Sequence, residues 1–320
     1  MSLSRTLLPW IVPASLALAG CAIPGPRASD AAIAGIPRDE VQVHTDTFDG
    51  HVSYLHAGTP DTARVVLVHG TPGAATAWSD FLLHVPAGEE YIALDRPGFG
   101  HSEPAGAVVS LKSQAQALRP FLDPPGGAPV ILVGHSLGAG VIAEAAELYP
   151  DRVAGLVFVA GALDPDLEDP DWVHWLQSLG TVPPISWVLS REWDNANREL
   201  IAYESQLRAL APRLRQITQP IRIIHGTADD LVPFANVAYM HHMLSHAPVS
   251  ITRIPDGTHF LPWTHFALVQ SRIQRIVADV CGGSRPCGTK QLASAPGDSG
   301  NRTGTGRSPA TAGVSTCPRC

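Results

Sequence analysis

Charge of either sign is scarce in this chain: Asp, Glu, Lys and Arg make up 16% of 320 residues, 29 acidic against 22 basic, for a formal net charge of −7. With no basic surplus to neutralise phosphates, a dedicated nucleic-acid binder is excluded. Long hydrophobic runs are missing as well. No eighteen consecutive apolar residues occur, which excludes a protein built of membrane-spanning helices. Cysteine is sparse, and four of the five (Cys281, Cys287, Cys317, Cys320) sit at or in the C-terminal tail. A zinc site wants ordered ligands on a turn-rich module and a redox motif wants a helix start behind it, so the Cys-Pro-Arg-Cys ending supports neither. Disulfides in an oxidising compartment are the expected fate of these thiols. What the chain does have is 45% hydrophobic residues, enough for a sizeable core and too many for disorder throughout.

The two ends differ from the middle. Arg5 precedes a fourteen-residue apolar stretch, Leu7 to Gly20, too short for a span and carrying Pro9 and Pro13, which suits a signal segment that is removed. It ends Leu18-Ala19-Gly20-Cys21 and resembles the lipobox of bacterial lipoproteins, in which the cysteine is lipidated and becomes the new N-terminus. The resemblance implies a lipid anchor on Cys21, attachment to a membrane of the bacterial envelope, and, with Ala22 following, the outer membrane. An ordinary secretory signal cut nearby would instead leave Cys21 spare. Residues 21–40 read as a linker, and 282–320, rich in Gly, Ser, Thr, Ala and Pro, as a disordered tail that cannot bury a core.

Between the tails, short runs rich in Val and Ile alternate with helical segments. The runs are Val65 to Val68, Tyr91 to Leu94, Val130 to Val133, Leu156 to Val159 and Ile221 to Ile224; the helical segments are 111–122, 137–149, 234–246 and 264–280. Fully apolar strands mean a sheet covered on both faces, and the alternation predicts an α/β fold with a mostly parallel, doubly wound sheet.

Chemistry concentrates where such strands end. Gly134-His135-Ser136-Leu137-Gly138 directly follows one strand and directly precedes a helix. A turn this tight leaves no room for side chains on either flank, so it needs both glycines, and it holds Ser136 in a strained position with its hydroxyl aimed out of the sheet. Three further segments lie at strand ends: His69-Gly70-Thr71-Pro72-Gly73, Asp95 to Ser102, and Gly226-Thr227-Ala228-Asp229-Asp230-Leu231-Val232-Pro233. On these four motifs, in this order, residues 41–280 resemble an α/β-hydrolase fold enzyme of the esterase, lipase and C–C hydrolase type. The resemblance implies eight strands, with a helical cap inserted after the sixth at 162–219, between core segments 41–161 and 220–281.

A serine nucleophile needs a base, and the base needs an orienting carboxylate. In this family the chain order is nucleophile, acid, histidine. That order implies Asp229 as the acid and His259, in Asp256-Gly257-Thr258-His259, as the base, with Asp230 and Asp164 as alternative acids. For the oxyanion, the N–H of Leu137 is one donor; since Pro72 has none, that of Thr71 is the natural second. The other histidines take bland readings. His135 faces the packing side of the sheet, His69 buttresses the oxyanion turn, and His241, His242 and His246 lie on a surface helix. Asp95 and Arg96 fix their loop through buried polar contacts.

Four tryptophans of the cap (Trp172, Trp175, Trp187, Trp193) line an apolar pocket or pack the cap's own core. Its Glu192, Glu199 and Glu204 read as helix-surface charge. The expectation is a serine hydrolase acting through an acyl-enzyme on Ser136, with carboxylic esters of small or medium apolar substrates as the default. C–C, lactone or amide bonds are alternatives, as is a non-catalytic binding protein of the same fold. A serine at the elbow argues against epoxide hydrolase and haloalkane dehalogenase chemistry, which places aspartate there. No cofactor or metal is implied.

Overall fold

A computed structural model describes residues 24–168 and 190–282. The signal-like segment with Cys21, the tryptophans 172, 175 and 187, and cysteines 287, 317 and 320 lie outside the described residues. Among the described residues eight strands run β1 Arg38–His44, β2 Asp49–Gly58, β3 Ala63–Val68, β4 Glu89–Leu94, β5 Val130–His135, β6 Gly155–Val159, β7 Ile221–Gly226 and β8 Val249–Ile254. They form one sheet in the order β1-β2-β4-β3-β5-β6-β7-β8. Only the β1–β2 and β2–β4 pairings are antiparallel.

The helices that matter below are α1 Asp30–Ile33, α2 Ser79–Leu82, α3 Leu111–Gln116, α4 Gly138–Leu148, α5 Arg191–Leu210, α6 Asn236–Met243, α7 Leu261–Thr264 and α8 Phe266–Gly282. Strands β3, β5 and β6 are buried at every position because both faces are covered. On β3, Val66 and Val68 join a core with Leu132, Ile142 and Phe158 on one face. Val65 and Leu67 join Ile131, Val133 and Ile273 on the other. Strand β8, at the sheet edge, keeps Ser250, Thr252 and Arg253 outside those cores, as an edge allows.

Two segments differ from the sequence reading in their limits. The helix expected over 111–122 stops at Gln116 and resumes as a 3₁₀ turn, Arg119–Leu122. Pro120 supplies no N–H and crowds the preceding turn, which breaks the helix there. Its start is fixed by Ser110, whose hydroxyl accepts from the N–H of Ser113. At the N-terminal side, β1 already begins at Arg38, Ile36 is buried, and the N–H of Arg27 donates to Asp80 Oδ2 at 2.9 Å.

Strand order positions the site. β3 lies between β4 and β5: the β3–β4 connection runs one way along the sheet and the β4–β5 connection returns past β3 in the other, so a crevice opens at the strands' C-terminal ends. The turn after β3 carries Gly70 and Thr71, and the turn after β5 carries Ser136. They are neighbours across that crevice.

Candidate active site

Ser136 sits between β5 and α4 with φ of +56°, a left-handed conformation that non-glycine residues rarely hold. The surroundings impose it. A Cβ on Gly134 would lie 2.5 Å from the carbonyl oxygen of Gly138, and one on Gly138 would lie 2.6 Å from that of Val68. Gly70 is constrained in the same way: its bare Cα packs against Ser136, where a Cβ would come within 2.8 Å of the serine Cβ.

Asp229 and His259 come from adjacent loops stitched together at the ends of β7 and β8. The N–H of Ala228 donates to Gly257 O at 3.0 Å, and that of Thr227 to Ile254 O at 3.0 Å. Asp229 is buried. Its Oδ1 accepts from the N–H groups of Leu231 (3.0 Å) and Val232 (2.8 Å), and its Oδ2 accepts from His259 Nδ1 at 2.9 Å. Burial alone pushes this carboxyl up, but the His259 hydrogen bond and charge, with the Val232 N–H, outweigh it and leave the carboxyl below its usual range. With an ionised acceptor on Nδ1, that nitrogen carries the proton, and Nε2 is left as the basic lone pair. Asp230 is exposed, and Asp164 accepts instead from the N–H of Asp166 at 3.0 Å; among the described residues the carboxylate that hydrogen-bonds His259 is that of Asp229.

Two peptide planes beside Ser136 are held from behind. In a trans peptide the C=O and the following N–H point opposite ways, so binding the carbonyl aims the amide. Gly70 O, the partner of the Thr71 N–H, accepts from His69 Nδ1 (2.6 Å) and Arg96 Nη2 (3.0 Å). Ser136 O, the partner of the Leu137 N–H, accepts from the N–H of Ala139 (3.0 Å) and of Ala162 (3.2 Å). His69 Nε2 accepts from the N–H of Arg96 at 3.0 Å, which requires the proton on Nδ1. Burial, and then the adjacent Arg96 charge, keep its pKa well below the ordinary imidazole value, consistent with that neutral ring.

Ser136, His259, Thr71 and Leu137 border one cavity of about 470 Å³, together with Asp229-loop residues Leu231 and Val232. Its other walls are mostly apolar: Leu167, Trp193, Leu200, Phe260 and Trp263. Among the described lining residues there is no Lys or Arg, and residues 169–189 contain neither. Trp193, the one described cap tryptophan, borders this cavity while 58% exposed.

Some residues have more to do than their sequence context suggested. Glu199, read as helix-surface charge, is buried. Its carboxylate takes Arg96 Nη1 at 2.7 Å and Nη2 at 3.0 Å, Gln114 Nε2 at 3.0 Å and the Thr71 hydroxyl at 2.7 Å. A heptad-style reading of α5 puts Glu199 in line with Ala196, Tyr203, Leu207 and Leu210, all buried, so its face was the available signal. His135 also does more than pack against the sheet. It borders the cavity, its ring lies 4.8 Å from that of His259, and its Nε2 donates to the His259 carbonyl at 3.0 Å. The ring adjoining Asp229 on its other side, His225, is buried with Nε2 3.5 Å from Oδ2; a residue inside an apolar strand gives no sequence sign of this. Asp95 and Arg96 do make buried polar contacts: Asp95 accepts from Arg38 Nη1, the Ala75 N–H and the His101 N–H.

Comparison with known proteins agrees with this architecture. The sequence profile described as Alpha/beta hydrolase family matches residues 65–270. Lipase LipV of Mycobacterium tuberculosis is 37% identical over 109 residues, 33% of this chain and 41% of that protein. A 2-hydroxy-6-oxononadienedioate/2-hydroxy-6-oxononatrienedioate hydrolase of Klebsiella pneumoniae is 27% identical over 241 residues, 63% of this chain and 82% of that protein. The chain thus spans well under half of the lipase and most of the second hydrolase. In three dimensions, a putative lipase of Acinetobacter baumannii superposes with a TM-score of 0.60 at 19% identity, covering 78% of this chain and 94% of that one. The haloalkane dehalogenase DbeA of Bradyrhizobium elkani does so with 0.61 at 19%, covering 78% and 100%.

Proposed function

The chain belongs to the alpha/beta hydrolase family, and from that premise we propose a serine hydrolase that cleaves carboxylic esters of small or medium apolar acids. Ser136 Oγ attacks the ester carbonyl while His259 Nε2 takes its proton. Asp229 holds the imidazole by Nδ1 and stabilises the imidazolium that forms. The N–H groups of Thr71 and Leu137 receive the developing oxyanion. His259 returns the proton to the leaving alcohol, and water, activated by the same ring, releases the acid from Ser136. Every proton in this scheme moves through His259, and the scheme uses no cofactor.

The observation that carries the ester reading is the lining of the cavity. A hydrolase such as the Klebsiella relative is named for a substrate with two carboxylates. A dianion entering a pocket bordered by Leu167, Leu200, Phe260 and Trp263, without a cation among the described walls, would lose its hydration uncompensated. An uncharged ester loses nothing of that kind. The test is hydrolysis of a chromogenic ester series by the chain beginning at Ala22, beside Ser136→Ala, with fluorophosphonate labelling of both. Serine-dependent turnover and labelling support the reading. Labelling without ester turnover directs the search to C–C, lactone or amide bonds, and a folded protein showing neither overturns it in favour of a binding protein.

We also propose that the chain is exported and carries lipid on Cys21, held at the bacterial envelope with the outer membrane favoured. The supporting feature is the apolar stretch Leu7 to Gly20 closing on Cys21. Fatty-acid labelling in a bacterial host, lost in Cys21→Ser, is the expected result; label retained by Cys21→Ser overturns it.

A further inference from the structure

Helix α5 touches both proposed oxyanion donors with side chains one turn apart. Glu199 accepts from the Thr71 hydroxyl at 2.7 Å, and Tyr203 Oη donates to the carbonyl of Leu137 at 3.2 Å and of Ala162 at 2.8 Å. Positions i and i+4 lie on the same helix face, so a single rigid element reaches both. The hold on the first donor is double. Glu199 also fixes Arg96 through both guanidinium nitrogens, and Arg96 Nη2 binds Gly70 O, the carbonyl of the same peptide whose N–H belongs to Thr71. The hold on the second donor is double too, since Ala162, whose carbonyl Tyr203 binds, sends its own N–H to Ser136 O, the carbonyl of the peptide whose N–H belongs to Leu137.

We propose that α5 is a clamp on the oxyanion hole, in which Glu199 sets the Gly70–Thr71 peptide through Arg96 and the Thr71 hydroxyl, and Tyr203 sets the Ser136–Leu137 turn. Glu199 and Tyr203 are positioning residues: their hydrogen bonds go to Thr71, Arg96, Gln114, Leu137 and Ala162 and not to Ser136 Oγ or His259, although Tyr203 also borders the cavity. The clamp rests on the serine-hydrolase reading above. Its chemical logic is that donors placed in advance stabilise charge without reorganising, whereas loosely held ones give much of that advantage up. A shift of about 1 Å in such a group costs up to roughly 10²-fold in rate. Two buried polar side chains on one helix face, matched to two turns from different strands, give a coupling from the cap to the chemistry that an apolar helix face would lack.

The clean probe is Thr71→Val, which deletes the hydroxyl contact but leaves the Thr71 N–H and the Arg96–Glu199 pair in place. Tyr203→Phe is its counterpart on the other donor. Each should lower kcat roughly 10- to 100-fold with KM within about threefold. Each should slow fluorophosphonate labelling by a similar factor, because the phosphyl oxygen occupies the oxyanion position. Thr71→Ser, which retains the hydroxyl, should lose less than Thr71→Val. A boronic acid that forms a tetrahedral adduct should weaken in proportion to the loss in kcat, while an uncharged product binding Ser136→Ala should keep its affinity when Thr71→Val is added. A merely structural role would lower the melting temperature without that split. Folded variants whose kcat and boronate affinity stay within twofold of the parent overturn the clamp while the parent remains active. An inert, unlabelled parent overturns the hydrolase reading itself, and the clamp with it.

Discussion

Arg96 and Glu199 form a buried, two-pronged ion pair across 103 residues of sequence, Nη1 to Oε1 at 2.7 Å and Nη2 to Oε2 at 3.0 Å. The guanidinium is fully enclosed and also donates to the carbonyls of His69 and Gly70. Removing one partner of such a pair leaves a charge without solvent or counter-ion, at a cost of about 3–5 kcal/mol. Arg96→Met is therefore expected to destabilise the chain by that order, and Arg96→Met with Glu199→Met to recover part of it. Denaturant unfolding of the two variants checks this. A double variant less stable than Arg96→Met alone would show that the hydrogen bonds to Thr71 and Gln114, not the lost pairing, dominate.

Asp229 holds His259 in the tautomer that leaves Nε2 basic. Asp229→Asn keeps the shape but presents an amide that favours the opposite tautomer. The expected loss in kcat is on the order of 10⁴-fold with little change in KM, measured on whichever ester the parent turns over fastest. Asp230→Asn, at an exposed position one residue on, should leave kcat within about twofold. If the two variants behave alike, the acid lies elsewhere.

Gly134 faces the carbonyl of Gly138 so closely that a Cβ would stand 2.5 Å away, backbone against backbone with nothing flexible to yield. Gly134→Ala should cost about 1–3 kcal/mol of stability and displace Ser136. Thermal unfolding and labelling rate together test it: a variant with parental values for both would mean the elbow tolerates a side chain.

His135 is held neutral down to about pH 3, first by its burial and next by the charge of His259 beside it. In the unfolded chain the same ring titrates near 6.5. Between those limits the unfolded state binds a proton that the folded state excludes, so stability rises with pH across the window and falls on acidification. This ring alone costs about 1.4 kcal/mol for each unit below 6.5. His69, also driven down by burial, adds in the same direction. His135→Gln keeps a donor for the His259 carbonyl without the titration. Its melting temperature should fall less than the parent's between pH 7 and pH 5, and equal slopes would sink the assignment.

Leu200 lines the cavity from α5. Filling that wall with Leu200→Trp should shorten the space for an acyl chain. The expected outcome is a drop in kcat/KM for octanoyl esters of roughly tenfold relative to acetyl esters, about what two buried methylenes contribute. An unchanged chain-length profile would put the acyl group in another part of the cavity.

Sequence alone determined the elements and the order of the motifs. Apolar runs such as Val65 to Val68 can be stable only when covered on both faces, and the spacing of Gly134, Ser136 and Gly138 has a single steric meaning, so strand, turn and helix follow from local pattern. Asp229 and His259 were legible only through the resemblance to the family, whose chain order of nucleophile, acid and histidine picks them; strand ends alone left Asp230 and Asp164 open. Tertiary structure decided what depends on a distant partner. Whether a helical glutamate is surface charge or an enclosed counter-ion turns on what its face meets, and Glu199 meets Arg96 and Thr71, 103 and 128 residues away. The same holds for His135 and His225, whose surroundings of apolar strand gave no sign that one would hold the His259 carbonyl and the other border Asp229. Local pattern fixes conformation through sterics between neighbours; burial and hydrogen-bond partners are properties of the packed whole, and a chain 320 residues long brings them together only on folding.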